Sequence, residues 1–269
     1  ARSLGLSQAA LSFSIQQLEG ELGGTLFERS GSGARLSALG SALRARAELI
    51  VAQSVRMKEE AVAQLGRGAP RLNVGTTEPL ATVVMPRAAA ALLEEMPDLD
   101  LRMAYADSDT MLHRLRTGEF DVVLCSPKAG TDFAGLEFEP TYEERFVLAA
   151  RAGHPLFRDG GTPTAALVRE YGWIMHEGAS PVGSPGDVDA RVGSFQAHVR
   201  VRVPAHALTR SMLLNTDLLG YIVEDLIRDD LRRGTIRVLE VEGVNFRTRA
   251  GLMVRRGAPS TPAAKRLCR

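Results

Sequence analysis

From Ala38 to Leu65 the sequence reads as one long helix, and that helix constrains everything around it. Leu43, Ala47, Ile50, Ser54, Met57 and Ala61 recur at spacings of four, three, four, three and four, a heptad seam that calls for a partner helix. Ser37 stands where an N-cap oxygen would satisfy the first free amides. Gly66-Arg67-Gly68-Ala69-Pro70 then breaks the helix and forms a hinge. At about 1.5 Å per residue the helix would be roughly 40 Å long. A helix this long with a single narrow seam is rarely stable alone. Pairing with a second copy is therefore expected in preference to packing within its own domain.

Ahead of it lies a second amphipathic pattern. Leu11, Ile15, Leu18 and Leu22 are spaced four, three and four, one apolar face of a helix. Ser7 is its N-cap candidate. Leu4-Gly5-Leu6 just before reads as a helix ending in a glycine turn. Helix, short turn and capped helix outline a helix-turn-helix. The face opposite the apolar seam carries Gln8, Ser12, Phe13 and Gln16, side chains that can reach base edges or phosphates in a major groove. Any amphipathic helix of a small bundle shares that spacing, so the next segment of chain decides between the two. Gly23 to Arg29 closes the helix, and Ser30-Gly31-Ser32-Gly33-Ala34 is a tight loop flanked by Arg29 and Arg35. The shape fits a winged hairpin with two cations at its base.

In order and spacing, residues 4 to 40 resemble the winged helix-turn-helix of LysR-type transcriptional regulators. There, a recognition helix reading Ser-Gln-Pro-Ala-Leu-Ser runs into Leu-Glu, then Leu-Phe-x-Arg, then an Arg and a Leu-Thr/Ser pair. The resemblance implies contact with double-stranded promoter DNA through Ser7, Gln8, Ser12, Phe13, Gln16, Arg29 and Arg35. It further implies a homodimer or homotetramer joined through the linker helix and effector domains, with RNA polymerase as a further partner. The family has another helix before this motif, so the head is expected to be incomplete at its N-terminus. Several positions depart from the pattern. The family's proline is Ala9, a better helix former. The customary arginine after Leu-Ser is Phe13, the next glutamine is Ser14, and two often basic positions are Gln16 and Gln17. Fewer cations mean fewer phosphate contacts and a shallower salt dependence. Phe13 could touch a thymine methyl and Gln16 read adenine, leaving Arg29 and Arg35 to supply much of the backbone contact.

From Arg71 strands and helices alternate, which implies parallel sheet order and an α/β domain. Leu72–Gly75, Leu99–Ala104 and Asp121–Leu124 read as strands, with helices over Pro79–Glu95 and Asp109–Thr117 between them. Arg145–Ala150 reads as a strand leaving this lobe, Trp173–Met175, Val199–Val203 and Gly220–Val223 as strands of a second, and Thr248–Val254 as a strand returning. Two lobes joined by crossing strands resemble the periplasmic-binding-protein-like effector domain of the same family. The fold class is thus α/β, with an all-α winged helix-turn-helix head and a long linker helix before a two-lobed α/β domain. The domain division is 1–36 for the head, 37–68 for the linker and 70–269 for the effector domain, with lobe I about 70–143 and 247–269 and lobe II about 144–246.

In such a domain the ligand cleft forms at strand C-termini and helix N-termini, where free amides and a partial positive charge suit anions. The junctions here are Thr76-Thr77-Glu78, Ser108-Asp109-Thr110, Ser126, His176 and His206. The resemblance assigns effector contact to Thr76, Thr77, Ser108, Asp109, Ser126, His176 and His206. Five of them also have a plainer role: Thr77 and Ser108 as helix caps, Asp109 as a charge on a helix dipole, the two histidines as surface or satisfied groups. Ser180–Asp189 reads as a mobile loop near the cleft. The ligand is expected to be a small organic acid or sugar.

Composition excludes more than it assigns. A net charge of +1 is no evidence for nucleic-acid binding, and residues 1–68 hold eight Lys plus Arg against six Asp plus Glu, so binding must rest on placement. No apolar run approaches a membrane span and no secretory signal opens the chain, and two cysteines are too few for a disulfide framework. A cytoplasmic protein is expected. Cys125 reads as a small buried hydrophobe. There is no phosphate loop, H-E-x-x-H, G-x-S-x-G or Cys/His cluster with metal spacing, so neither enzyme activity, cofactor nor metal is expected. Glu143-Glu144 and Asp229-Asp230 read as solvated faces. The rival reading is a solute-binding or catalytic α/β protein without sequence-specific DNA binding.

Overall fold

The computed structural model describes residues 7–30, 33–65, 68–128, 130–158, 164–176, 198–241, 244–258 and 261–268. The Leu4–Leu6 turn and the Ser180–Asp189 loop lie outside the described residues. The chain forms two compact units, Ala1–Lys58 and Glu59–Arg269.

In the first unit, helix α1 (Gln8–Leu22) begins at Ser7, whose hydroxyl accepts from the Ala10 amide at 3.1 Å. It ends at Gly23 in the left-handed region (φ +68°), which glycine adopts without a Cβ penalty. Strands β1 (Phe27–Ser30) and β2 (Gly33–Leu36) make the expected antiparallel wing. Glu19 of α1 ties helix to wing: its carboxylate accepts from the amides of Leu26 at 2.6 Å and Phe27 at 3.2 Å. Ser37 opens α2 (Ala38–Gln64), accepting from the Gly40 amide at 2.9 Å and donating to the Thr25 carbonyl at 2.5 Å. The apolar face of α2 is broader than one heptad seam. Besides Ile50 and Met57, a neighbouring stripe of Val51, Val55, Val62 and Leu65 is exposed.

The second unit is built on one sheet in the order β4-β3-β5-β11-β6-β9-β7-β8, with β10 also on β6. Strands β3 (Arg71–Thr76), β4 (Asp100–Tyr105) and β5 (Val122–Cys125) are parallel. So are β7 (Gly172–His176), β8 (His198–Val203) and β9 (Leu219–Val223). Between these sets run two long antiparallel strands, β6 (Leu136–Arg151) and β11 (Phe246–Arg255). One half of β6 pairs only with β11, and its last residues pair with β9 and with β10 (Ile236–Leu239). These are the crossing strands. Each is longer than its apolar stretch suggested, and β10 gave no sequence signal.

Helices cover the faces: α3 (Glu78–Val83), α4 (Met85–Glu95), α5 (Ser108–Arg116), α6 (Ala165–Arg169), α7 (His206–Asn215), α8 (Arg228–Arg233) and α9 (Pro262–Leu267). The single helix expected over Pro79–Glu95 is two, because Pro86 has no N–H to continue the α3 ladder and stands in the first turn of α4. Strand alternation splits the interior into two cores per lobe. On β5, Val122 and Leu124 join Leu72, Val74 and Leu92, whereas Val123 and Cys125 join Met111, Leu115 and Phe120. On β6, Leu148 and Ala150 join Trp173 and Tyr221, whereas Val147 and Ala149 join Ile174, Leu213 and Ile222. Among the described residues no helix is long and apolar enough to cross a membrane.

Candidate functional site

The residues expected to contact DNA lie in the first unit and those expected to contact the effector in the second. On the head, Gln8, Ser12, Phe13 and Gln16 are all exposed, Phe13 at 68%. Ser7 uses its hydroxyl as a cap. Arg35 is exposed on β2 and stands opposite Glu28, while Arg29 stands opposite Ala34. The two arginines are thus not cross-strand partners, and the side chain of Arg29 lies outside what is described. The α1 seam is only half covered, with Leu18 and Leu22 each 46% exposed.

In the second unit, the ends of the parallel strands gather Thr76, Thr77, Ser108 and Ser126. Thr76 ends β3 and is buried. The Thr77 amide donates to the Leu124 carbonyl at 3.2 Å, and its hydroxyl makes no cap bond to α3. The cap of α5 is Asp107, which accepts from the Thr110 amide at 3.0 Å; Ser108 is instead buried in the first turn and donates to the Ser126 carbonyl at 3.1 Å. A capping role for Ser108 is therefore corrected: the extended residue before the helix holds that place. Asp109 points outward and pairs with Lys128 at 2.8 Å.

From the other lobe come His176, the last residue of β7, and His206, the first of α7. Their rings stack with centroids 4.4 Å apart and planes 19° from parallel. Neither is a surface group: His206 is 8% exposed and the His176 side chain 23%. Burial pushes the His206 imidazole down to about 3, with the neighbouring His176 acting in the same direction, so His206 is neutral at physiological pH. Its Nδ1 is buried and has no hydrogen-bond partner among the described residues. Glu78 joins the two lobes. Both its carboxylate oxygens accept from the His206 amide at 3.0 Å, and Oε2 lies 3.4 Å from His176 Nε2. The free amide at the N-terminus of α7, expected to await an anion, is occupied by a carboxylate of the protein itself.

Two acidic pairs read as solvated faces are each half buried. Glu143 is exposed, but Glu144, its neighbour on the opposite side of the β6 pleat, is 2% exposed and accepts from the Ser126 hydroxyl. Burial pushes its carboxyl up, and its Oε1 has no hydrogen-bond partner among the described residues. Asp230 is 3% exposed and takes a forked contact from Arg210 at 2.5 and 2.8 Å, while Asp229 stays in solvent. The alternation of strand positions was the available signal for Glu144. Nothing local announced the reach of Glu78, and Thr209, one turn beyond His206 with a buried hydroxyl lacking a partner among the described residues, was likewise missed. Cys125 is fully buried, and desolvation pushes its thiol up to about 12, as a small core hydrophobe requires.

The Arg210–Asp230 fork anchors α7, the helix that presents His206, and it sets a pH dependence. The guanidinium holds the Asp230 carboxyl below its ordinary 3.8. Between that value and the lower folded one the unfolded chain binds a proton the folded chain resists, so this stability is present above the unfolded value and lost as pH falls through the folded one. Asp230→Asn is expected to lower stability by about 2 kcal/mol at neutral pH and to flatten the acid limb of urea-melting midpoints against pH. An unchanged limb would contradict this.

Comparison with known proteins decides the family. The description of the bacterial regulatory helix-turn-helix protein, lysR family, matches residues 1–41, and that of the LysR substrate binding domain matches residues 66–269. The chain belongs to the LysR family. PcaQ of Agrobacterium fabrum, an HTH-type transcriptional regulator, is 29% identical over 265 residues, covering 97% of this chain and 85% of PcaQ. YdcI of Escherichia coli is 26% identical over 266 residues, covering 95% of this chain and 83% of its own. Among solved structures, ArgP from Mycobacterium tuberculosis aligns with a TM-score of 0.69 at 19% identity, covering 99% of this chain and 87% of ArgP. Full-length OxyR from Pseudomonas aeruginosa gives 0.68 at 22%, covering 100% and 86%. At these identities the structures speak for the fold: a helix-turn-helix head and a two-lobed effector domain. This LysR chain is a ligand-responsive, DNA-binding transcriptional regulator, and its relatives are regulators, not enzymes.

Proposed function

We propose that this LysR-type regulator acts in the cytoplasm as a homodimer or homotetramer, with RNA polymerase as a further partner, and that effector binding between its two lobes shifts which arrangement of subunits holds promoter DNA. The division into head 1–36, linker 37–68 and effector domain 70–269 belongs to this reading. So do the DNA contacts of Ser7, Gln8, Ser12, Phe13, Gln16, Arg29 and Arg35, and the effector contacts of Thr76, Thr77, Ser108, Asp109, Ser126, His176 and His206. The observation that carries it is the bond from the His206 amide to Glu78, a polar contact between residues 128 apart in sequence that ties one lobe to the other. A ligand that replaces or reinforces such a contact discriminates between lobe arrangements, and only differential affinity shifts an equilibrium. The effector class is a small organic acid or sugar, in keeping with the hydroxyls of Thr77 and Ser126 at the cleft and with the shikimate held by the effector domain of QuiR.

Fluorescence anisotropy with DNA from the protein's own promoter region tests the DNA-binding part. The expected result is a preference over scrambled DNA, and for Arg35→Ala a plot of log affinity against log salt shallower by about one unit, since one phosphate contact is lost. No preference would favour a solute-binding role, and an unchanged slope would remove Arg35 from the contact set.

A further inference from the structure

We infer that Glu78, His176 and His206 form a site for a divalent transition-metal ion of the zinc, nickel or cobalt class, bridging the two lobes. The inference rests on the two-lobe effector cleft and names one ligand for it. Four observations support it. One ligand atom from each of the three residues lies within 4.8 Å of the other two, and because the two rings stack 19° from parallel, one of them turns to aim its lone pair at a shared ion. Glu78 Oε2 and His176 Nε2 are 3.4 Å apart, close to the roughly 3.3 Å that separates two ligands of a tetrahedral ion bound at about 2.0 Å. His206 is more than nine-tenths buried and its Nδ1 has no hydrogen-bond partner among the described residues, a polar ring nitrogen whose desolvation is otherwise uncompensated there. The donor set, two imidazoles and one carboxylate, is the borderline nitrogen and oxygen chemistry these ions select, whereas calcium and magnesium take oxygens.

The amide of His206 on the Glu78 carboxylate supplies the outer hydrogen bond that orients a ligating carboxylate. Three protein ligands leave a position open, so a bound ion could take an oxygen of a small acid entering the cleft. Glu78 lies at the start of α3, and His176 and His206 end β7 and open α7. An ion held by all three favours the arrangement in which Glu78 meets His206 over any arrangement that separates the lobes.

The test uses the full chain, stripped with a chelator and titrated with Zn2+ and Co2+ by calorimetry and visible absorption, beside His176→Ala, His206→Ala and Glu78→Gln. The expected result is one ion per chain, ligand-field bands from Co2+ in a low-symmetry nitrogen and oxygen site, and at least a tenfold weaker affinity in each variant. Circular dichroism identifies a variant that fails to fold; Glu78→Gln keeps the acceptor for the His206 amide, so it keeps the test decisive. Absence of binding, or binding that survives all three substitutions, overturns the metal site. Promoter anisotropy in excess chelator, run on the same protein, reports separately on the regulator: sequence preference there with no metal binding would sink only the metal inference.

Discussion

Ile50→Asp is expected to convert the protein to a monomer and to weaken operator binding by about 10²–10⁴-fold, the range that linking two weak binding modules commonly contributes. Ile50 is 70% exposed and Met57 65% on α2. Beside that seam run Val51, Val55, Val62 and Leu65, at spacings of four, seven and three, all exposed. A continuous apolar face of this width on a long helix is covered in most folded proteins. A carboxylate in its centre would have to be desolvated without a partner on association. Helix α1 carries no Lys, Arg or His, so a single head is expected to bind weakly on its own and occupancy of paired half-sites to depend on the two heads being joined. Sedimentation equilibrium and promoter anisotropy check the two halves of the expectation. A variant that remains dimeric with unchanged affinity would place the association elsewhere.

The same helix shows what could be read without coordinates. Its cap at Ser37 and its length follow from local rules, as do the cap at Ser7 and the two-strand wing. The alternation of strands and helices after Arg71 was legible for the same reason: each depends on residues within a few positions. Three features were not. The break at Val84 turns on a proline in the first turn of a new helix, a position where proline is also welcome. The full 16 residues of β6 include polar positions such as Glu143 and Arg145, which find partners on β11 and beyond β9 only after folding. The contact of Glu78 with His206 spans 128 residues, and no periodicity reports on pairs that far apart. The candidate residues were therefore legible one by one as positions at strand–helix junctions, while their grouping was not. Glu144 makes the point at the scale of a single side chain: its charge suggested solvent, and only the pleat and the long crossing strand place it inside.

Gly251→Val is expected to cost roughly 3 kcal/mol, at the upper end of overpacking penalties, and to loosen both lobes together. A Cβ at Gly251 would lie 2.0 Å from the Glu139 carbonyl oxygen and 2.6 Å from the Pro140 Cα, both backbone atoms of β6. Rotamer changes cannot relieve a clash with backbone, so β6 and β11 would have to separate at the register shift between Ala250 and Gly251. Gly251 also pairs with Cys125 on β5, which carries the movement to the strand end that holds Ser126. In the other direction β6 continues to its pairing with β9 and β10. A displaced crossing strand therefore disturbs the interface that orients Glu78 toward His206, although neither residue touches the substitution. Urea unfolding gives the stability, and amide hydrogen exchange tells whether the loss is shared. The expected pattern is reduced protection in β5 and β9 alike; loss confined to β5, or a stability change within 0.5 kcal/mol of zero as is usual for surface substitutions, would mean that the crossing strands do not couple the lobes.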